Sequence, residues 1–186
     1  MEHRLVIIMI TADVANAVAA SAAVIVSIIS FVLAWKSLAV QRHHNRLSVR
    51  PLAFISRSDY ENSLAVKIHN NGVGPLIITS VRVFDGNDTK RSLIEWMGAI
   101  PYRVTWDDFT RDFVDRSLAP GDAIVLLKLT GDASDQDFCE IRNACRLVLR
   151  QLTVKVAYRD IYDQPMKPVE RKLDWFGHNL PKEPPG

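Results

Sequence analysis

Residues 14–35 carry no charged side chain, and this 22-residue run constrains the chain more than any other feature. At about 1.5 Å of rise per residue it makes roughly 33 Å of helix, enough to cross a hydrocarbon core of about 30 Å. Its centre reads Ala23-Val24-Ile25-Val26-Ser27-Ile28-Ile29-Ser30-Phe31-Val32-Leu33, and Trp35 and Lys36 end it with an aromatic and a cation, as at a membrane interface. Asp13 interrupts the apolar residues before it. An Asp at mid-bilayer costs about 2.5–3.5 kcal/mol, so Asp13 is expected at an interface. A buried core helix would show a charged face, and this run has none. A signal peptide would be cut after Ala15-Asn16-Ala17, yet Glu2 weakens its basic start and residues 18–35 would stay apolar after cleavage. The expectation is an external N-terminal end over 1–13, a spanning helix over 14–36 and a basic juxtamembrane linker over 37–50.

Flanking charge sets the expected orientation. Arg4 stands before the helix; Lys36, Arg42, Arg46 and Arg50 stand after it, with His43 and His44 among them. Under the positive-inside rule the C-terminal part faces the cytoplasm of a cell whose inner membrane holds the helix. The same four cations are candidates for contact with anionic lipid headgroups. His43 and His44 lack a nearby Cys or carboxylate cluster, so no metal site is expected.

Within the helix, Asn16, Ala20, Ala23, Ser27, Ser30 and Ala34 recur at alternating spacings of four and three. Every position on that seam is small or polar. Lipid gives apolar helices no hydrophobic reason to associate, but small residues permit close approach and hydroxyls bond across the contact. The seam predicts self-association into a homo-oligomer.

The texture changes at Pro51. Positions 1–50 hold five of the 23 basic and two of the 21 acidic residues, which leaves 18 basic and 19 acidic beyond them. A domain so balanced has no basic field for nucleic acid. Residues 63–69 alternate, with Leu64, Val66 and Ile68 on one side and Lys67 and His69 on the other. Residues 52–55, 76–84, 123–129 and 152–158 also read as strands, and 167–173 closes a hairpin after a turn at 160–164. Asn70-Asn71-Gly72-Val73-Gly74-Pro75 reads as a turn or bulged connection whose Asn and Gly supply positive φ. Ser134-Asp135-Gln136-Asp137, with Arg142 and Arg146 later, has the charge order of a helix over about 135–147. Cys139 and Cys145 lie six residues apart there, too far for a disulfide, so both are expected as free thiols. Residues 92–100 are ambiguous, and the three prolines after Asn179 point to a loose tail over 179–186.

About seven short strands with frequent turns predict a mainly-β, antiparallel sandwich with one inserted helix over 51–178, behind the N-terminal transmembrane α-helix. Residues 66–78, with Val154 to Tyr158 and Asp160, resemble bacterial single-pass membrane proteins of uncharacterised function. The resemblance implies an immunoglobulin-like domain behind the anchor and no catalytic residue.

Chemistry is harder to place. Gly72-Val73-Gly74-Pro75 lacks the third glycine and the following helix of a dinucleotide site. The segment 105–116 packs four acids with three aromatics, and Trp106, Asp107, Asp108 and Asp112 are candidates for holding a cationic partner or ligand. Trp106, Phe109 and Phe113 fit helical spacing, so a short amphipathic helix is expected there. Tyr158 and Arg159 are candidates for stacking on a ligand. His69, Asp59, Asp160 and Cys139 are the residue types of a catalytic set, but nothing in the chain order brings them together. No cofactor or metal is implied. Three functions stay open: a non-enzymatic, membrane-anchored binder of an unknown protein or small ligand, an oligomeric sensor-effector, and a tethered hydrolase using the acidic loop.

Overall fold

The computed structural model describes residues 2–180, with side chains at 14–42, 44, 45 and 48–180. Positions 181–186 and the side chains of Asp13, His43 and Arg46 lie outside the described residues. Two compact units result, one ending at Leu47 and one beginning at Ser48.

The first unit is a single helix, α1, Glu2–Ser48. Gly and Pro, the strongest helix breakers, are absent between positions 2 and 48. Within α1, Val14–Arg42 is apolar enough to cross a membrane, and none of its strongest window is buried by protein. Ser27 Oγ donates to the carbonyl of Ala23 and Ser21 Oγ to that of Ala17, both at 2.8 Å, so neither hydroxyl proton is left unsatisfied in an apolar setting. The helix does not stop at Lys36. The segment expected as a linker is helical through Ser48, and Pro51 then forces the chain out of helical geometry.

The described residues of the second unit hold nine strands and an α-helix: β1 Ala53–Tyr60, β2 Ser63–Asn70, β3 Leu76–Phe84, β4 Thr89–Lys90, β5 Asp108–Phe109, β6 Ser117–Leu118, β7 Ala123–Thr130, α2 Gln136–Leu149, β8 Thr153–Arg159 and β9 Val169–Lys172. One antiparallel sheet runs β1-β2-β7-β5; the other runs β4-β3-β8-β9, with β6 also on β3. The alternation read in the sequence is realised: Leu64, Val66 and Ile68 are fully buried, and the register stacks Ile55 on Ile68 and Ile68 on Ile124. From the second sheet Val83, Val154 and Val156 enter the same core. The hairpin at the C-terminal side forms as expected, pairing Val154 with Arg171 and Val156 with Val169.

α2 begins where the charge order places it. Asp135 caps it by accepting from Asp137 N at 3.0 Å, and the helix runs two residues beyond the expected end. Phe138, Cys145 and Leu149 form its buried face. The ambiguous residues 92–100 make turns ending in a short 3₁₀ helix, Met97–Ala99, and a second one covers Asp174–Asn179. Asn179 and Leu180, assigned to a loose tail, are held: Asn179 Nδ2 donates to Asp59 at 2.9 Å, and Leu180 is partly buried.

The connection after β2 is built around Asn70, a fully buried side chain. Its Oδ1 accepts from Leu52 N at 3.3 Å and Gly72 N at 3.0 Å, and its Nδ2 donates to the carbonyls of Gly74 at 2.8 Å and Leu118 at 3.1 Å. A buried amide with every donor and acceptor occupied rigidifies what it touches. The glycines here serve close approach. Positive φ belongs instead to Gly86 and Gly121, at 106° and 82°, in the two following turns. A Cβ on Gly72 would stand 2.4 Å from Leu52 N, and one on Gly74 only 1.8 Å from the carbonyl oxygen of Val49.

Gly74→Ala should therefore cost at least about 2 kcal/mol, because backbone cannot yield as a side-chain tip can. Gly98→Ala, whose Cβ meets open space, should stay within about 0.5 kcal/mol of wild type. Denaturant unfolding of the detergent-solubilised chain, followed by tryptophan fluorescence, checks both.

Candidate functional site

On the helix, a turn of about 100° per residue places Asn16, Ala20, Ala23, Ser27, Ser30 and Ala34 within an arc of about 80°. All six are exposed in this chain, as are Val24, Ile25, Ile28 and Phe31 on the other faces. Lys36 and Arg42 are exposed on the same helix. Arg50 lies beyond it, exposed, with its carbonyl accepting from Val73 N at 3.2 Å.

The acidic-aromatic segment is not a helix. Asp108–Phe109 forms β5 along the edge of β7, pairing Asp108 with Lys128 and Phe109 with Leu127, and Asp107 N donates to Lys128 O at 3.2 Å. The free edge of β7 supplies the backbone partners that an isolated helical turn would otherwise supply for itself. The chain then crosses to the other sheet. Phe113 is buried in the core, Asp115 N donates to the carbonyl of Ile78 in β3, and Ile78 N donates to the carbonyl of Arg116. Asp115 adopts a φ of 60° there. Residues 107–118 are thus a strap between the two sheets.

The candidate carboxylates have internal partners. Asp107 accepts from both the amide and the hydroxyl of Thr130. The Thr130 hydroxyl is the main reason its carboxyl lies below the usual range, and partial burial opposes the shift. Asp112 Oδ1 accepts from Val114 N at 3.2 Å. Asp108 stays exposed on the edge, and Trp106 packs partly buried against the core. Tyr158 is only 4% exposed, so it is a core residue and not a stacking platform. Arg159 reaches the far end of the strap, 3.0 Å from Asp115 and 3.3 Å from Asp163. Trp106, Asp107 and Asp108 belong to the β7 side and Arg159 to β8, so the structure does not gather the six candidates into one site.

The imagined catalytic set is likewise dispersed among separate neighbours. His69 Nε2 lies 2.8 Å from Ser56 Oγ, and burial, aided by Lys67, holds its pKa below the ordinary value. Asp160 shapes the turn after β8, accepting from Tyr162 N at 2.8 Å and Gln164 N at 2.9 Å. Cys139 points at the carbonyl of Ala133. Cys145 is fully buried, and desolvation pushes its thiol up to about 12. Both cysteines are free. Among the described residues no group of three or more His, Cys, Asp or Glu side chains is placed to hold a metal ion.

Asp59 has a different role, which the sequence does not reveal. Its side chain is fully buried, and Arg146 of α2 grips it with Nη2 at 2.7 Å from Oδ1 and Nε at 2.9 Å from Oδ2. Arg146 Nη1 also donates to Asn143 Oδ1 at 2.8 Å and to the Asn179 carbonyl at 3.1 Å. The pair ties β1, α2 and the 3₁₀ turn at Asp174–Asn179 together. The only signal for it is positional: Arg146 falls on the face of α2 that carries Cys145 and Leu149.

Residues 11–178 match a family model described as a domain of unknown function, DUF8453. The match takes in the apolar helix as well as the β-rich unit. Neither the curated proteins nor the solved structures include one that matches the chain.

Asp59→Ala strands a buried guanidinium and should cost about 3–5 kcal/mol. The double variant Asp59→Leu/Arg146→Met should be less destabilised than Asp59→Ala, since no charge is left unpaired. Urea midpoints of the two variants and wild type make the comparison.

Proposed function

The chain belongs to the DUF8453 family, and we propose that it is a membrane-anchored, self-associating, non-enzymatic protein whose β-rich domain binds a partner. The observation that carries this reading is the span Val14–Arg42: long, apolar, uncovered by protein, and followed by a folded domain. Water cannot satisfy so large an apolar surface, whereas lipid can. That the family match begins within the helix supports treating anchor and domain as one functional unit.

The positive-inside imbalance supports placing the domain in the cytoplasm of a bacterium, beneath its inner membrane, with Lys36, Arg42, Arg46 and Arg50 near anionic headgroups. The strand orders β1-β2-β7-β5 and β4-β3-β8-β9 support an immunoglobulin-like reading. Renamed A to G, with β4 as C′ and β6 left out, they follow the orders ABED and C′CFG of that fold, which supports the reading, with α2 falling between E and F. The domain makes do without the disulfide common in antibody domains, since both its cysteines are free. A binding role without catalysis is favoured because the strap carboxylates Asp107 and Asp112 are engaged by Thr130 and Val114. An apolar groove between residues 99–102 and α2, where Tyr102 and Leu147 are exposed, offers a surface for a protein partner.

Self-association rests on the small and polar arc. In membranes containing a C139S/C145A chain, A20C, A23C and S27C should form disulfide-linked dimers several-fold more than I25C and I28C. Equal crosslinking on the two faces would overturn the proposed contact.

A further inference from the structure

A gap in the outer edge of β3 holds an arrangement that the anchor-and-binder reading does not use. One side of β3 is paired with β8 along its length. On the other side, Leu76–Ile78 is covered by β6 and the strap, and Val83–Phe84 by β4. Between them, from Ser80 to Arg82, no strand among the described residues pairs with this edge. A register shift between Ile78 and Ser80 marks a bulge at the same place, and bulges at sheet edges re-aim side chains.

Three arginines line the recess in that gap: Arg82 from β3, Arg91 just after β4, and Arg111 from the strap. Val81 and Phe113, both buried, line it as well. Among the described residues, none of the three guanidinium groups has a carboxylate within ion-pair distance. Arg57, Arg146 and Arg159 of the same domain all do. Arg111 is steadied by the ring of Phe109, 5.4 Å from its guanidinium carbon. The lining includes one acid, Asp112, whose Oδ1 already accepts from Val114 N. All three arginines are exposed, and three cations against one anion give the recess a net positive charge that an anion would neutralise.

We infer that the gap in the β3 edge, with Arg82, Arg91 and Arg111, binds a phosphoryl group. Guanidinium forks match the oxygens of a phosphoryl group in paired hydrogen bonds. The recess measures about 230 Å³, below the roughly 300–1,000 Å³ of pockets that enclose whole organic ligands. It therefore takes the charged head of its ligand and leaves the remainder outside. That head belongs either to a soluble phosphate or to an anionic lipid. The inference does not depend on the fate of α1, so its test can fail while the anchor stands.

The test is calorimetric titration of the full chain, in phosphatidylcholine nanodiscs, with inorganic phosphate. Binding in the millimolar range or tighter is expected, weakening as salt is added. R82Q, R91Q and R111Q should each weaken it about tenfold. R116Q, an exposed strap arginine outside the recess, should leave it unchanged. Repeating the titration in nanodiscs containing phosphatidate distinguishes the sources: competition assigns the site to a lipid headgroup, and unchanged phosphate binding assigns it to a soluble anion. Absence of binding at millimolar phosphate, or binding that R82Q, R91Q and R111Q leave intact, overturns the inference.

Discussion

An apolar helix that no protein covers must be covered by something else. That constraint organises this molecule. The span Val14–Arg42 exposes Val24, Ile25, Ile28, Phe31 and Leu33, each more than half accessible. The helix satisfies its own backbone, and Ser21 and Ser27 return their hydroxyl protons to it. Lipid requires this of a spanning segment, because it offers no hydrogen bonds. A lone soluble helix of that composition would aggregate, which supports the proposed anchor.

Two buried polar clusters give the domain its specificity. Asn70 locks the chain entering β1 to the connection between β2 and β3, and it works only because Gly72 and Gly74 let backbone pass at contact distance. Asp59 and Arg146 attach α2 to β1 and to the C-terminal turn. A hydrophobic core alone tolerates alternative packings; a buried charge pair with its hydrogen bonds filled penalises them.

Most of the architecture was legible in the sequence because it follows local periodicity. The alternation of Leu64, Val66 and Ile68 marked β2, and the acid-first, base-last order marked α2. What escaped was tertiary. Trp106, Phe109 and Phe113 have helical spacing, but the open edge of β7 captured the segment as a strap. Asp59 and Arg146 are 87 positions apart, and no one-dimensional pattern joins them. The sequence suggests positive φ for the glycines after Asn70; their reason is the proximity of Val49 and Leu52, visible only once the chain has folded. The helix outran its expected end because hydropathy reports where lipid stops, not where helical geometry stops. Of the candidate ligand residues, Tyr158 went to the core, while Asp107 and Asp112 went to holding the strap.

Membrane residence is the claim on which the functional account rests, and flotation after alkaline carbonate extraction measures it most directly. The account predicts that the full chain rises with the lipid fraction and stays there at high pH. It also predicts that a chain beginning at Val49 remains in the aqueous layer. Full-length protein recovered in the aqueous layer without detergent would contradict it.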